Sequence, residues 1–296
     1  MNNTPFLDKI AEKVLSDFPD SFGNLTLVLP NKRARVFLIE KLKNKTDKTF
    51  FAPNIISIEE FIYDLSKIKA IDNIELLFNF YEVYKTLTPL ENTQDFETFS
   101  NWAKMLLADF NEIDRYLLNP NRVFSYLKDI EDIKHWAVDI DNRTPMIQKY
   151  LNFWEMMPVY YSNLYTHLIK EKKGYQGLIY REAVENLPNY INELGDHKIY
   201  FAGFNALNQA EEKIFQELLK NNSTKVFWDI DESILNDPFH DAGLFARRIK
   251  ANWSHYKTHP FEWIANAYSE EKNIKIISTP KSVGQAKITG KIIEEI

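Results

Sequence analysis

Four places in this 296-residue sequence set reactive side chains at spacings that chemistry uses. The turn Pro30-Asn31-Lys32-Arg33 joins the apolar run LTLVL to the amphipathic stretch RARVFLIEKL. A strand, a tight turn and a helix present helix N-terminal N–H groups, here beside a lysine, to a phosphate. Asp229 and Asp231, in Trp228-Asp229-Ile230-Asp231, follow the apolar run KVF as a D-x-D pair able to hold a divalent cation. Glu211-x-Lys213 and Glu171-x-Lys173 have the acid–lysine spacing of a PD-(D/E)xK nuclease, where carboxylates bind metal and position water.

Each pattern lacks something its chemistry needs. A Walker A loop wraps phosphates with glycine N–H groups, and its lysine is followed by Ser or Thr for magnesium. The sequence has no glycine between residues 24 and 173, and Arg33 follows Lys32. Cradling of a triphosphate is therefore not expected; one phosphate of a nucleic-acid backbone at Asn31, Lys32, Arg33 and Arg35 is. Walker B needs an acid after an apolar strand. The run KIYFA ends instead in Gly203-Phe204-Asn205. Both Glu-x-Lys pairs fall in helical context rather than on strands. The D-x-D pair leaves a metal-dependent nucleotide-sugar transferase using manganese as the alternative reading. No H-E-x-x-H or G-x-S-x-G occurs. No catalytic residue and no metal ligand is assigned, and no cofactor is expected for these residues.

Composition narrows the classes. The chain is 45% hydrophobic and 26% charged, which suits a globular protein. Zero cysteines exclude disulfides and thiolate chemistry and suit a reducing, cytoplasmic setting. No signal peptide or membrane span is read. A net charge of −6 argues against a surface that grips nucleic acid everywhere. Between residues 31 and 48, however, seven bases (Lys32, Arg33, Arg35, Lys41, Lys43, Lys45, Lys48) face two acids, Glu40 and Asp47. That stretch is either a solvated helix face or an anion-facing patch.

The elements that must position these residues alternate between strand and helix at both ends of the chain. Thr4-Pro5 starts a helix to Asp17; strands are expected at 25–29 and 54–56, and Ser57 with Glu60 forms a capping box. Residues 72–194 read as helix, with starts at Asn119-Pro120 and Thr144-Pro145, a kink at Pro158 and a stop at Gly174. The aromatics Phe153, Trp154, Tyr160, Tyr161 and Tyr165 recur at helical spacing and read as core rather than base-stacking platforms. Strands are expected again at 198–203, 225–230 and 273–278, with Asn208 and Glu211 capping a helix and Ser282 opening the last one. The expected fold is α/β: five parallel strands in one sheet, residues 1–71 and 195–296, with a helical insertion at 72–194 forming a separate lobe. The final helix is expected to lay its apolar side (Val283, Ile288, Ile292, Ile293, Ile296) on the sheet or on a neighbouring copy. It has no terminating glycine or polar tail, and the chain reads as the first part of a longer one.

LVLPNKRARVFL, IISIEEFIYDLS, LLFNFYEVY and NWAKMLLADFNEIDRYL, followed by FAGFNALNQAEEKIFQELL, VFWDID and STPKSVGQAKI, resemble in order the N-terminal half of AddB/RexB-like helicase–exonuclease subunits of Bacteroidetes type. The resemblance runs from Leu25 to the end. It implies a superfamily 1 helicase-like, P-loop-NTPase-like core that has lost its ATPase motifs. It also implies an AddA-like helicase–nuclease partner and a role in resecting double-strand DNA ends for recombinational repair. In such proteins a C-terminal PD-(D/E)xK nuclease domain, which needs magnesium, follows the motor-like half. That domain is not within these residues, so no nuclease activity is expected of them. The resemblance places Asn31, Lys32, Arg33 and Arg35 at the former Walker A position and GFNALNQAEE at the former Walker B position.

Overall fold

The computed structural model describes residues 4–46, 51–134, 145–221, 223–261, 264–265, 268, 271–272 and 274–295. The first helix, α1 (Phe6–Asp17), begins one residue later than expected: Pro5 occupies the capping position and no side chain caps the helix. Strand β1 (Leu25–Leu29) is buried at every residue, as a central parallel strand covered on both faces must be. Helix α2 (Lys32–Asn44) follows after a two-residue turn. Strand β2 (Asn54–Ser57) runs directly into α3 (Ile58–Ser66), whose capping box from Ser57 and Glu60 is fully formed.

Nearly all the chain from there to residue 194 is helical. A two-residue strand, β3 (Lys69–Ala70), precedes α4 (Asn73–Leu87), α5 (Phe96–Arg115) and α6 (Pro120–Lys134). Asn119 caps α6 as expected, accepting a hydrogen bond from the Arg122 N–H at 3.1 Å. Helix α7 (Pro145–Lys170) continues through Pro158; its expected cap, Thr144, lies outside the described residues. The expected stop at Gly174 is not observed. α7 ends at Lys170, Lys172 takes a left-handed conformation (φ 53°), and Gly174 belongs to the short strand β4 (Lys173–Gly174), which pairs with β3. Helix α8 (Gln176–Leu194) closes the helical stretch at Gly195.

The alternation then resumes with β5 (Lys198–Ala202), α9 (Gln209–Leu218) and β6 (Thr224–Phe227). The expected strand over 225–230 is broken at Trp228-Asp229. The chain beyond forms a separate short strand, β7 (Ile230–Asp231), then α10 (Glu232–Asn236) and α11 (Leu244–Asn252), and β7 pairs with β8 (Ile264–Ala265). The last helix is α12 (Ser282–Glu295).

The main sheet has four strands, not five, in the order β2-β1-β5-β6, and all are parallel. Of the strand expected at 273–278, residue 273 lies outside the described residues; 274–278 pair with no strand among the described residues, and Ile274 and Ile276 are 75% and 91% exposed. Their isoleucines fit a strand, but propensity alone provides no neighbouring edge. Nor does α12 settle on the sheet: none of its described residues is buried. Ile296 lies outside the described residues.

Alternate residues of each strand face opposite cores. Leu25, Leu27 and Leu29 join Tyr200, Ala202 and Phe227 beneath α1 and α2, through Ile10, Val14, Leu38 and Leu42. Val28, Ile199 and Phe201 face α3, α8 and α9, through Phe61, Leu187 and Phe215. This second core continues without interruption into the helices between β2 and β5, where Phe80 meets Phe99, Trp102, Phe110 and Tyr160 edge-on. A shared core, rather than a lobe set apart, joins them to the sheet because α8 packs closely against both α3 and α5.

Candidate functional site

From β1 the chain turns to β2 on one side, and β5 later enters on the other. In a parallel sheet the connections diverge at such a switch point and open a crevice at the carboxyl ends of the two strands. Pro30 and Asn31 follow β1 there, and Gly203, Phe204 and Asn205 follow β5, so the structure brings these two segments side by side.

On the β1 side, Asn31 caps α2, its Oδ1 accepting a hydrogen bond from the Ala34 N–H at 3.1 Å. Lys32 reaches sideways: its Nζ lies 3.1 Å from Glu60 Oε1, while Glu60 Oε2 accepts the Ser57 N–H at 2.9 Å. The Ser57 backbone bond, aided by Lys32, holds the Glu60 carboxyl below its ordinary range. Lys41 and Lys45 pair with Asp8 and Glu12 and fasten α2 to α1. Arg33, Arg35 and Lys43 are exposed and form no ion pair among the described residues. Val36 and Phe37 beside them are 66% and 56% exposed. Asp47 and Lys48 lie outside the described residues. The basic stretch is thus partly a fastening and partly a free cationic face around Arg33 and Arg35.

On the β5 side there is no carboxylate. Gly203 has φ 77°, and the Phe6 ring comes within 3.2 Å of where a Cβ would stand. Beyond it a cavity of about 280 Å³ reaches past Asn205 to Asp229 and Asp231 at the end of β6. Of the D-x-D pair, Asp231 is engaged by its neighbours. Asp231 caps α10: Oδ1 accepts from the Ser233 N–H at 2.9 Å and its hydroxyl at 2.6 Å, and Oδ2 accepts the Tyr268 N–H at 2.7 Å. Burial raises its pKa, but these bonds outweigh that and leave it below the usual carboxylate range. Burial raises Asp229, with Lys9 opposing. Both Asp231 oxygens therefore accept N–H or O–H donors, while Asp229 is set apart by burial.

The remaining candidates are structural. Glu211 completes the α9 capping box, accepting from the Asn208 N–H at 3.0 Å and the Tyr180 hydroxyl at 3.3 Å; burial raises its pKa. Lys173 lies 2.8 Å from Glu75 and 3.4 Å from Glu171. Of the aromatic run read as core, Tyr160 and Tyr161 are buried and Trp154 and Tyr165 partly so, whereas Phe153 is 37% exposed.

Two clusters escaped the sequence reading. Asp114, fully buried, receives Tyr161 Oη at 2.5 Å, Arg181 Nε at 2.6 Å and the Tyr175 hydroxyl, tying α5, α7 and α8 together. Its signal was an acid in register with the apolar stripe of α5. The second is a group of lysines around β3 and β4, assembled by pairing between segments about a hundred residues apart. Among the described residues no three His, Cys, Asp or Glu side chains converge as metal ligands, and no helix is long and apolar enough to cross a membrane. No protein-family model and no curated protein matches the chain.

Proposed function

We propose that the chain is the ATPase-inactive, helicase-like scaffold and DNA-binding region of a helicase–nuclease subunit that resects double-strand breaks. In this reading the parallel sheet is a P-loop-like motor core, residues 72–194 are its helical insertion, and an AddA-like subunit is the partner. Magnesium-dependent nuclease chemistry belongs to a domain outside these residues. The observation that carries the reading is the topological switch point between β1 and β5. It stands where a motor binds nucleotide, yet a glycine-free turn borders it on one side and Gly203-Phe204-Asn205 on the other. Lys32, the one side chain suited to a β- or γ-phosphate, is held by Glu60. What remains at the α2 start is Arg33 and Arg35, suited to single phosphates of a DNA backbone.

The test is binding of the full chain to a labelled blunt duplex across a salt series. Replacing Lys32, Arg33 and Arg35 together by alanine should weaken binding and flatten its salt dependence, by ~0.9 in log–log slope for each phosphate no longer neutralised. An unchanged isotherm would make this face a solvated helix surface and remove the site from the proposal.

A further inference from the structure

The strongest unassigned concentration of charge lies at the two-stranded ladder of β3 and β4. Lys69 pairs with Lys173 across that ladder, and the Lys69 N–H donates to the Lys172 carbonyl at 2.9 Å. Two segments distant in sequence, 67–69 and 170–173, therefore present Lys67, Lys69, Lys170 and Lys172 together. All four are exposed and form no ion pair among the described residues. Lys173 is the exception, neutralised by Glu75 and Glu171.

The backbone makes this grouping notable. Lys67 ends α3 at φ 57°, and Lys172 lies just past α7 at φ 53°. Both are positions where helices usually place glycine, because a side chain is strained there. Lysine at a helix C-terminus is favoured by the macrodipole, which eases repulsion among the four ammonium groups. The stems nevertheless direct the charges into solvent, on a protein whose overall charge is −6.

We infer that Lys67, Lys69, Lys170 and Lys172 form a second polyphosphate-binding surface, one that takes a nucleic-acid backbone without reading its sequence. The inference rests on the DNA-binding role proposed for the α2 start and adds a contact at the far end of α3 from Lys32 and Glu60. Flexible lysines suit it: they meet phosphates as point charges and demand no fixed base geometry. An anionic lipid surface shares the headgroup chemistry and is separated by the test.

The experiment measures binding of the full chain to labelled duplex DNA, and separately to phosphatidylserine vesicles, from low to moderate salt. Replacing the four lysines by alanine should lower duplex affinity at least tenfold at low salt. It should also reduce the log–log salt slope by ~0.9 for each phosphate that a lysine had neutralised. Lys67→Gly with Lys172→Gly should weaken DNA binding while raising the melting temperature, since glycine relieves the left-handed strain. A quadruple variant that binds DNA like the parent overturns the inference, and so does one that loses only vesicle binding. If that variant is unchanged while the Lys32, Arg33 and Arg35 variant is weakened, the second surface fails and the proposed function stands. If the quadruple variant alone is weakened, the second surface stands and the α2 site fails. A parent chain that binds no duplex at low salt removes both.

Discussion

At the scale of single residues, polar groups in this molecule are spent mostly on holding elements together. His197 illustrates it. The Asn54 amide donates to the Thr26 hydroxyl at 3.2 Å, and that hydroxyl lies 2.9 Å from His197 Nε2. The Thr26 hydroxyl accepts from Asn54 and has both a proton and a further lone pair for His197 Nε2, so the ring tautomer sets the direction of that bond. Burial pushes the His197 pKa below its ordinary 6.5. The sign follows from proton counting: below pH 6.5 the unfolded chain takes up the proton first, so stability falls with pH until the folded-state pKa is passed. Above pH 6.5 the effect is absent. Urea midpoints at pH 7.5 and 5.5 should therefore differ less in His197→Gln than in the parent; an equal difference would show that His197 is not among the responsible groups.

Residue patterns were legible where the physics is local. Ser57 with Glu60, Asn119, and Asn208 with Glu211 were readable as caps because a cap needs only a side chain and an N–H two or three residues on. Asp229 and Asp231 were readable as a pair, but the Tyr268 N–H that Asp231 also accepts, 37 residues away, was not. The lysine surface was invisible for the same reason: only the β3–β4 ladder makes neighbours of Lys69 and Lys173.

At the scale of elements, the Asp114 cluster decides how α5, α7 and α8 meet. Burial and the neighbouring Asp114 carboxylate push Tyr161 and Tyr175 far above the ordinary tyrosine range, so both remain hydrogen-bond donors. Arg181 also donates through Nη2 to the Ile113 and Leu118 carbonyls, at 3.1 and 2.7 Å. Asp114→Ala leaves a largely buried guanidinium and two hydroxyls without their acceptor. Removing one partner of such a buried pair costs roughly 3–5 kcal/mol. Denaturant unfolding should show that loss, with Asp114→Asn losing less; a change within ~0.5 kcal/mol would mean the cluster is solvated. Elements read well from sequence when their periodicity met a partner, as in α5, with Phe99, Ala103, Phe110 and Ile113 buried. Residues 274–278 show the limit: their composition is that of a strand, but a strand exists only beside another.

At the scale of the whole molecule, the function proposed starts from a doubly wound parallel sheet whose switch point is bordered by a glycine-free turn. The parallel arrangement was foreseeable because each pair of strands is joined through a helix. The number of strands was not, because residues 274–278 have the composition of a strand but find no pairing edge among the described residues. In the proposed function DNA is the ligand and ATP is irrelevant to its binding. An anisotropy titration of the chain against a labelled blunt duplex, with and without millimolar ATP, puts that to the test, with magnesium held equal in both arms. The expected outcome is a salt-sensitive isotherm that is the same in both arms. An isotherm that shifts with ATP, or a chain that leaves the duplex unbound at low salt, would refute the proposed function.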